Sequence, residues 1–331
     1  RLPRELLAQE IRFVEDLGVE FRLNTTVGED VMFADLVRDH DAVFIGAGCM
    51  QGRLLGIEGN ELDGVLKAVD FLLNVNLGYK VDLGERVLVI GGGNVAFDAA
   101  RSAARFGGTS EAGEEDHHVM LDVARMARRS GAHDVMMVAL ESRETMPADH
   151  EEVNEGLAEG VQIFNERGPN RILGKDGRVT GLETLDVASV YNAEGRFAPS
   201  FVPKSERVIE VDTIIMAVGQ EADLSFLGDD HGVNLSPRRL VEVERETCAT
   251  SRPGVYAGGD IAFGPRIAIE AVADGRRAAR AMHKDFGYGT PDERVVEVRA
   301  FRTASYRPGG GHVADYETHP RNEPETIATE R

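Results

Sequence analysis

The sequence predicts an α/β chain in which one parallel-sheet domain is inserted into a second, incomplete one. Three observations carry this. The chain has 331 residues, more than a single core comfortably fills. A glycine turn joins an apolar strand to an alanine-rich helix in "VLVIGGGNVAFDAARSAARFGG", which starts at Val87. Two apolar strands share one pattern, "DAVFIGAG" from Asp41 to Gly48 and "RVIEVDTIIMAVGQ" from Arg207 to Gln220, each with an acidic start and a small end at Gly48 or Gly219. Two such strands imply two crossings between neighbouring domains.

Taken in chain order, Glu5 to Leu17 places Leu7, Ile11 and Val14 on one helical face, and Gly18 supplies a left-handed stop. Val19, Phe21 and Leu23 then alternate as a strand. "DAVFIGAG" reads as a fully apolar buried strand whose small end lets a ligand approach. "LGIEG", Leu55 to Gly59, reads as a turn, and Asp70 to Glu85 as a helix end followed by a linker, which puts a domain boundary near residue 81. Arg86 to Ile90 is a parallel-type strand. Asp176-Gly177 marks a hairpin within Gly174 to Asp186. After Glu221 a polar stretch leads to "TSRPGVYAGGDIAFGPRIAIEAVADGRRAARAM", a strand, a Gly-Gly-Asp turn and a helix. Beyond Gly287 a segment rich in Pro, Gly, Arg and Glu is expected to lie extended or partly disordered. The partition expected is 1–80, 81–220 with an inserted helix near 108–131, 221–288, and a tail over 289–331.

Composition narrows the classes. A formal charge of -20 and a pI near 4.9 argue against binding nucleic acid, which needs clustered Lys and Arg. Hydrophobic content of 42% with 37 glycines suits a soluble α/β enzyme. Cys49 and Cys248 stand far apart in no CxxC spacing, which argues against a redox dithiol, a zinc site or an iron-sulfur cluster built by this chain alone. With no signal peptide and no apolar run of roughly 20 residues, no membrane span and a cytoplasmic location are expected. The chain opens on Arg1 and leads straight into a helix, as a piece of a longer protein would.

The glycine turn carries the first site. Gly91 suits the tight turn, Gly93 lets backbone approach a pyrophosphate, and Ala96, Ala99, Ala100 and Ala103 let helix pack closely on sheet, with the helix N-terminus facing the phosphates. The acid that should end the next strand is displaced by a near-repeat. "VAFDAARSAARFGG" at Val95 recurs as "VMLDVARMARRSGA" at Val119, an offset of 24 residues. Glu141 follows Gly93 by 48 residues, and removing one repeat leaves 24, near the roughly 20 of a ribose-binding acid. A carboxylate there accepts ribose hydroxyls and repels a 2'-phosphate, so NADH is favoured over NADPH, although Arg143 lies within reach of such a phosphate. His117 and His118 read as exposed loop residues, so no metal is expected. Asp149 and Glu152 read as a capping box.

A second signal is Gly258-Gly259-Asp260 at the mouth of a helix that begins near Ile267 and Ala268. There a carboxylate can accept a sugar-alcohol hydroxyl, and helix N-H groups can stabilise charge on a reduced flavin.

The ordered set "RLPRELL", "EIRFVEDLGVEF", "DAVFIGAG", "VIGGGNVAFDAAR", "SRETMPA", "IIMAVGQEADLSFL" and "PGVYAGGD" with "IEAVADGRRAARAM" resembles the glutamate synthase small-subunit family of pyridine-nucleotide flavoprotein reductases, from Arg1 to about Met282. The resemblance implies two Rossmann-like nucleotide-binding domains, the NAD domain inserted into an incomplete FAD domain. It implies FAD and NAD(P)H as cofactors and electron transfer to an iron-sulfur partner segment or subunit. It places Gly46, Ala47 and Gly48 along the flavin, with Gly259, Asp260, Ile267 and Ala268 in contact, and gives Gly91, Gly93, Asn94 and Val95 to the nicotinamide dinucleotide. Three departures stand out. Leu140 and Glu141 replace the family's usual two arginines, a second GxGxxG is absent, and so are the cluster cysteines. The front βαβ unit with the FAD pyrophosphate site is thus missing or supplied by another chain. Because the chemistry is hydride transfer between rings, no catalytic side chain is assigned. The rival readings are a flavin-dependent disulfide reductase, opposed by the lack of CxxC, and a non-catalytic NAD-binding module of a larger redox complex.

Overall fold

A four-residue apolar run, Val87 to Ile90, organises the larger sheet because its residues alternate between two cores. The structure is a computed structural model and describes residues 4–106, 132 and 134–289. Strand β4 (Arg86–Ile90) lies between β11 (Thr213–Met216) and β5 (Asp134–Val138), with β3 (Val65–Lys67) outside β11 and β6 (Gln162–Phe164) outside β5, all parallel. Val87, Val89, Val135, Met137 and Ile215 face helices α3 (Ala68–Asn76), α4 (Asn94–Phe106) and α5 (His150–Ala158) through Phe71, Phe97 and Val153. Leu88, Ile90, Met136, Val138, Ile214 and Met216 face the opposite way onto Ile172, Val179 and Leu182. Those three belong to an antiparallel sheet of β7 (Arg167–Lys175), β8 (Arg178–Tyr191), β9 (Phe197–Phe201) and β10 (Arg207–Glu210). Both faces are covered, which is why β4 reads as continuously apolar.

Several expected elements are present. Helix α1 (Arg4–Asp16) ends at Gly18 with φ +90°. The hairpin turns at Asp176 (φ 53°) and Gly177 (φ 80°), two consecutive left-handed residues. The "RVIEVDTIIMAVGQ" segment divides in two, β10 pairing antiparallel with β8 and β11 joining the parallel sheet. The outermost strand of that sheet, β3, and helix α3 come from before residue 81. The repeat at 119–132, the inserted helix, His117 and His118, and the tail beyond Gly289 lie outside the described residues, apart from Ala132.

The second sheet is smaller. Strand β1 (Val43–Ile45) pairs parallel with β13 (Val255–Ala257) over a core of Phe33, Ile45, Leu224, Leu227, Val241 and Ile261. Phe33 belongs to helix α2 (Phe33–Asp39) and Ile261 to the four-residue α6 (Asp260–Phe263), after which α7 (Ala268–Asp285) begins. Just after the two apolar strands, β2 (Gln51–Gly52) and β12 (Gln220–Glu221) pair antiparallel, so both crossings run side by side. Two expectations are corrected here. Val19 to Leu23 form no strand: Val19, Phe21 and Leu23 are 49%, 47% and 76% exposed, and no ladder partner exists for them among the described residues. Strand β1 is not fully buried either, because Phe44 is 40% exposed on the face away from the core.

Chain contacts divide at Met282 and His283. In the second unit, Phe286 and Tyr288 meet edge to face at 6.5 Å.

Candidate nucleotide-binding site

The glycine turn lies between the C-terminal end of β4 and the start of α4. Gly91 has φ +143°, and a Cβ there would stand 2.4 Å from the carbonyl oxygen of Ala217, so no other residue fits. The turn is pinned from both neighbouring strands. Gly91 N-H donates to Val138 O at 3.0 Å and Ala217 N-H to Ile90 O at 2.9 Å. Around the Cβ position of Gly93 no protein atom lies within 4 Å, which leaves open space in front of the backbone where a pyrophosphate would approach. Gly93 O accepts from Ala96 N-H and Phe97 N-H, opening a helix with no acid in its first turn. The first N-H groups of that helix lack intrahelical partners and carry the positive end of its dipole. Ala96, Phe97, Ala99, Ala100 and Ala103 are all fully buried, Asn94 is exposed and Val95 half-buried.

Glu141 follows β5, the next strand of the sheet, and its carboxylate reaches back to the turn. A Cβ on Gly92 would lie 2.9 Å from Glu141 Oε2. The backbone of Glu141 is held by Asn165 Nδ2 (3.0 Å) and Glu166 N-H (3.2 Å), both donating to its carbonyl oxygen. The structure therefore brings Gly91, Gly93, Asn94, Val95 and Glu141 together at one end of the parallel sheet, with Arg143 exposed on the following loop. In that loop the Ser142 hydroxyl donates to Glu144 and holds its carboxyl below the usual carboxylate range.

The loop returns to the turn at Asp149. Asp149 does occupy the N-cap position of α5, but it makes no capping bond, which corrects the capping-box reading. Instead Asn94 Nδ2 donates to Asp149 Oδ2 at 3.1 Å, and Asp149 N-H donates to Asn94 Oδ1 at 2.9 Å. Glu152 is drawn elsewhere, to the buried guanidinium of Arg101 at 2.6 Å. Sequence spacing could not foresee this pairing, since Asn94 is 55 residues away.

The smaller sheet holds the other predicted residues. Gly46 and Ala47 are exposed just beyond β1, and Gly48 is half-buried with φ +70°. Across from them, Gly259 (φ +71°) and Asp260 follow β13. The turn is fixed by Asp274 of α7, a fully buried carboxylate that accepts from Gly259 N-H at 2.8 Å and pairs with both Arg266 and Arg277. Asp260 Oδ1 accepts from Arg266 N-H at 3.2 Å. Ile267 and Ala268 stand exposed at the start of α7. Gly219, exposed with φ +103°, belongs to the crossing, its carbonyl accepting from Arg53 N-H at 3.1 Å. Asp274 was not foreseen. Its only sequence signal is an acid inside an amphipathic helix, where acids are usually solvated.

Both cysteines are free and buried. Burial pushes the Cys49 thiol up, with Asp260 and Glu221 adding to the effect, and burial likewise raises Cys248. Among the described residues no group of three His, Cys, Asp or Glu could hold a metal ion, and no helix is long and apolar enough to cross a membrane.

A parallel sheet with this turn, open at Gly93 and flanked by an acid just past the next strand, defines an α/β protein of the dinucleotide-binding class. The chain belongs to the pyridine nucleotide-disulphide oxidoreductase family, whose model matches residues 29–275. It is 38% identical over 301 residues to the NADP(+)-dependent formate dehydrogenase subunit beta of Moorella thermoacetica, covering 90% of this chain and 39% of that one. It is 31% identical over 297 residues to the glutamate synthase [NADPH] small chain of Escherichia coli K12, covering 84% and 57%, which bears out the resemblance read from the sequence. Mycobacterium tuberculosis FprA in complex with NADPH shares the fold, with a TM-score of 0.59 at 19% identity over 80% of this chain and 68% of that one. The chain spans between 39% and 57% of the length of the two curated relatives.

Proposed function

We propose that this chain is part of an FAD-dependent NAD(P)H oxidoreductase of glutamate synthase small-subunit type, taking reducing equivalents from NADH and passing electrons to iron-sulfur clusters on another segment or subunit. One observation carries the reading: the two sheets follow one plan. In the larger, β11 pairs with β3 so that Ile214 faces Val65, and Ile214 N-H donates to Gly64 O at 2.8 Å. In the smaller, β1 pairs with β13 so that Val43 faces Val255, and Val43 N-H donates to Gly254 O at 2.9 Å. Helix α5 ends at Gly160 (φ +90°) before β6, as α1 ends at Gly18 (φ +90°) before Val19. The smaller sheet thus supports a second nucleotide site with two parallel strands to be added between β1 and residues 19–23, including the one that would bear the flavin pyrophosphate turn.

The residues present suit a nicotinamide dinucleotide and the flavin end of FAD. Gly91, Gly93 and the first turn of α4 would hold the nicotinamide pyrophosphate and Glu141 its adenosine ribose. The exposed backbone of Gly46 and Ala47, with Gly259 and Asp260, would hold the flavin side. Once bound, the cofactors supply the hydride chemistry, and the chain's residues bind, orient and shield them. That the relatives are named for formate, glutamate synthesis and Fe(3+) fits a reductase module whose final acceptor lies on other protein. Their names specify NADP(H), whereas Glu141 supports NADH here.

The test is the visible spectrum of the purified chain with added FAD, before and after anaerobic NADH. A retained flavin band that NADH bleaches is expected once the two strands are supplied, either by the full-length protein or by co-expression. If flavin is never retained while NADH still binds, the chain is a non-catalytic NAD-binding module instead.

A further inference from the structure

We propose that Asp149 and Asn94 form a latch that positions the phosphate cradle, so that Asp149 is a positioning residue for dinucleotide binding. This inference rests on reading the glycine turn as a nicotinamide dinucleotide site. The N-cap residue of a helix ordinarily turns its carboxylate onto the N-H groups of its own first turn. Asp149 has the extended backbone of an N-cap (φ -61°, ψ 140°) yet makes no such bond. Its side chain and its own N-H both go to Asn94, the first residue of α4. The same loop adds a third tie, Ala148 N-H to Gly92 O at 3.1 Å, and buries Met146 and Ala148 against the turn. Met146 Cε comes within 3.5 Å of where a Gly92 Cβ would be.

Two consequences follow for the ligand. Asp149 engages both ends of the Asn94 amide, one N-H of Nδ2 and the oxygen Oδ1, which fixes the amide's orientation. The pair thereby holds the first turn of α4, whose backbone N-H groups remain for the pyrophosphate beside the open space at Gly93. A turn of three glycines pays heavily in conformational entropy to become ordered. Bonds from 142–149 to Gly92 and Asn94 on either side of Gly93 remove that freedom before ligand arrives, which is how preorganisation raises affinity.

The experiment is a double-mutant cycle read as Kd for NADH and for NADPH by fluorescence titration of the full chain, with thermal stability measured alongside. Both residues are exposed, so the variants are expected to fold. Each hydrogen bond is worth roughly a 2- to 12-fold change in Kd. Asn94→Ala, which loses both side-chain bonds, is expected to weaken NADH about tenfold, and Asp149→Ala about threefold. The double variant is expected to match Asn94→Ala rather than the product of the two. Asp149→Asn, which keeps an acceptor for Asn94, is expected to recover most of the affinity lost in Asp149→Ala. The NADH to NADPH ratio should stay constant throughout, because the latch holds the phosphates and not the ribose. Unchanged Kd values with lowered thermal stability would overturn the latch and leave a purely structural pair. Multiplicative losses, or an altered ratio, would overturn it as well. No binding of either dinucleotide by the unaltered chain would overturn the site reading beneath it, a result distinct from all of these.

Discussion

Gly92 has no side chain, and the Glu141 carboxylate uses the space. A methyl group there would meet Glu141 Oε2 at 2.9 Å, Ala139 Cβ at 3.4 Å and Met146 Cε at 3.5 Å. Gly92→Ala should therefore push the carboxylate away from the ribose position. The expected result is an NADH Kd raised about tenfold, as for one charge-assisted bond lost, with NADPH little changed. Glu141→Arg should go further and reverse the preference, since a guanidinium pairs with a 2'-phosphate that a carboxylate repels. Equal Kd values for both dinucleotides in the unaltered chain would sink both expectations. The motif in the sequence names Gly91, Gly93 and Ala96 and leaves Gly92 as any residue. Its role becomes visible only when the end of β5 is laid beside the end of β4, a contact no local spacing encodes. Asp149 escaped for the same reason: its neighbours in sequence suggest a cap, while its partner sits on another element. The position of Glu141 was legible because the strand-turn-helix-strand grammar fixes which strand end must carry an acid.

Among the elements, β4 was readable to the residue because four consecutive apolar side chains are buried on both faces. Strands β2 and β3, two and three residues long, leave no period to read. Strand β4 also has an electrostatic start. Asp212, leading into β11, accepts from Arg86 N-H at 2.9 Å and Glu85 N-H at 3.2 Å and pairs with the Arg86 guanidinium at 2.9 Å. The Arg86 side chain, then the backbone N-H groups of Arg86 and Glu85, hold the Asp212 carboxyl below the usual carboxylate range. A carboxyl lowered on folding adds stability above its unfolded value near 4 and loses it as pH falls through the lower folded value. Asp212→Asn should thus cost about 1 kcal/mol at pH 7, a modest figure because the Asp212 side chain is 35% exposed and screened. In urea titrations the difference from the unaltered chain should begin to shrink as pH falls below about 4 and vanish once pH is below the lowered folded value. A gap that persists at low pH would assign the loss to packing.

At the scale of the molecule, large apolar side chains stand exposed on α1, at Leu23 and at the start of α7, where the proposed reading would add strands to the smaller sheet. Leu7, Ile11 and Phe13 of α1 are 48%, 45% and 65% exposed, Leu23 76%, and Ile267, Ile269 and Val272 at the start of α7 66–67%. The equivalent pieces of the larger sheet are buried: α5 contributes Val153 to the core, and β6 pairs with β5. Alternating Val19, Phe21 and Leu23 carry the sequence signature of a strand, but the structure forms none there, and no partner edge lies beside them among the described residues. A backbone ladder needs a partner edge, and no local pattern provides one. Two parallel strands inserted between β1 and this segment would bury those side chains, each worth about 1.5–3 kcal/mol when fully covered, and pair the N-H groups of 19–23. Hydrogen exchange reads this directly. In the chain alone the amides of Val19 to Leu23 should exchange without protection while Leu88 to Ile90 stay protected. With a strand-helix-strand segment bearing a glycine turn supplied, protection should appear over 19–23 at the same stoichiometry at which FAD is retained. Flavin retained with 19–23 still unprotected would mean that the cofactor is held by a different arrangement, and that the likeness of the two sheets ends at β1 and β13.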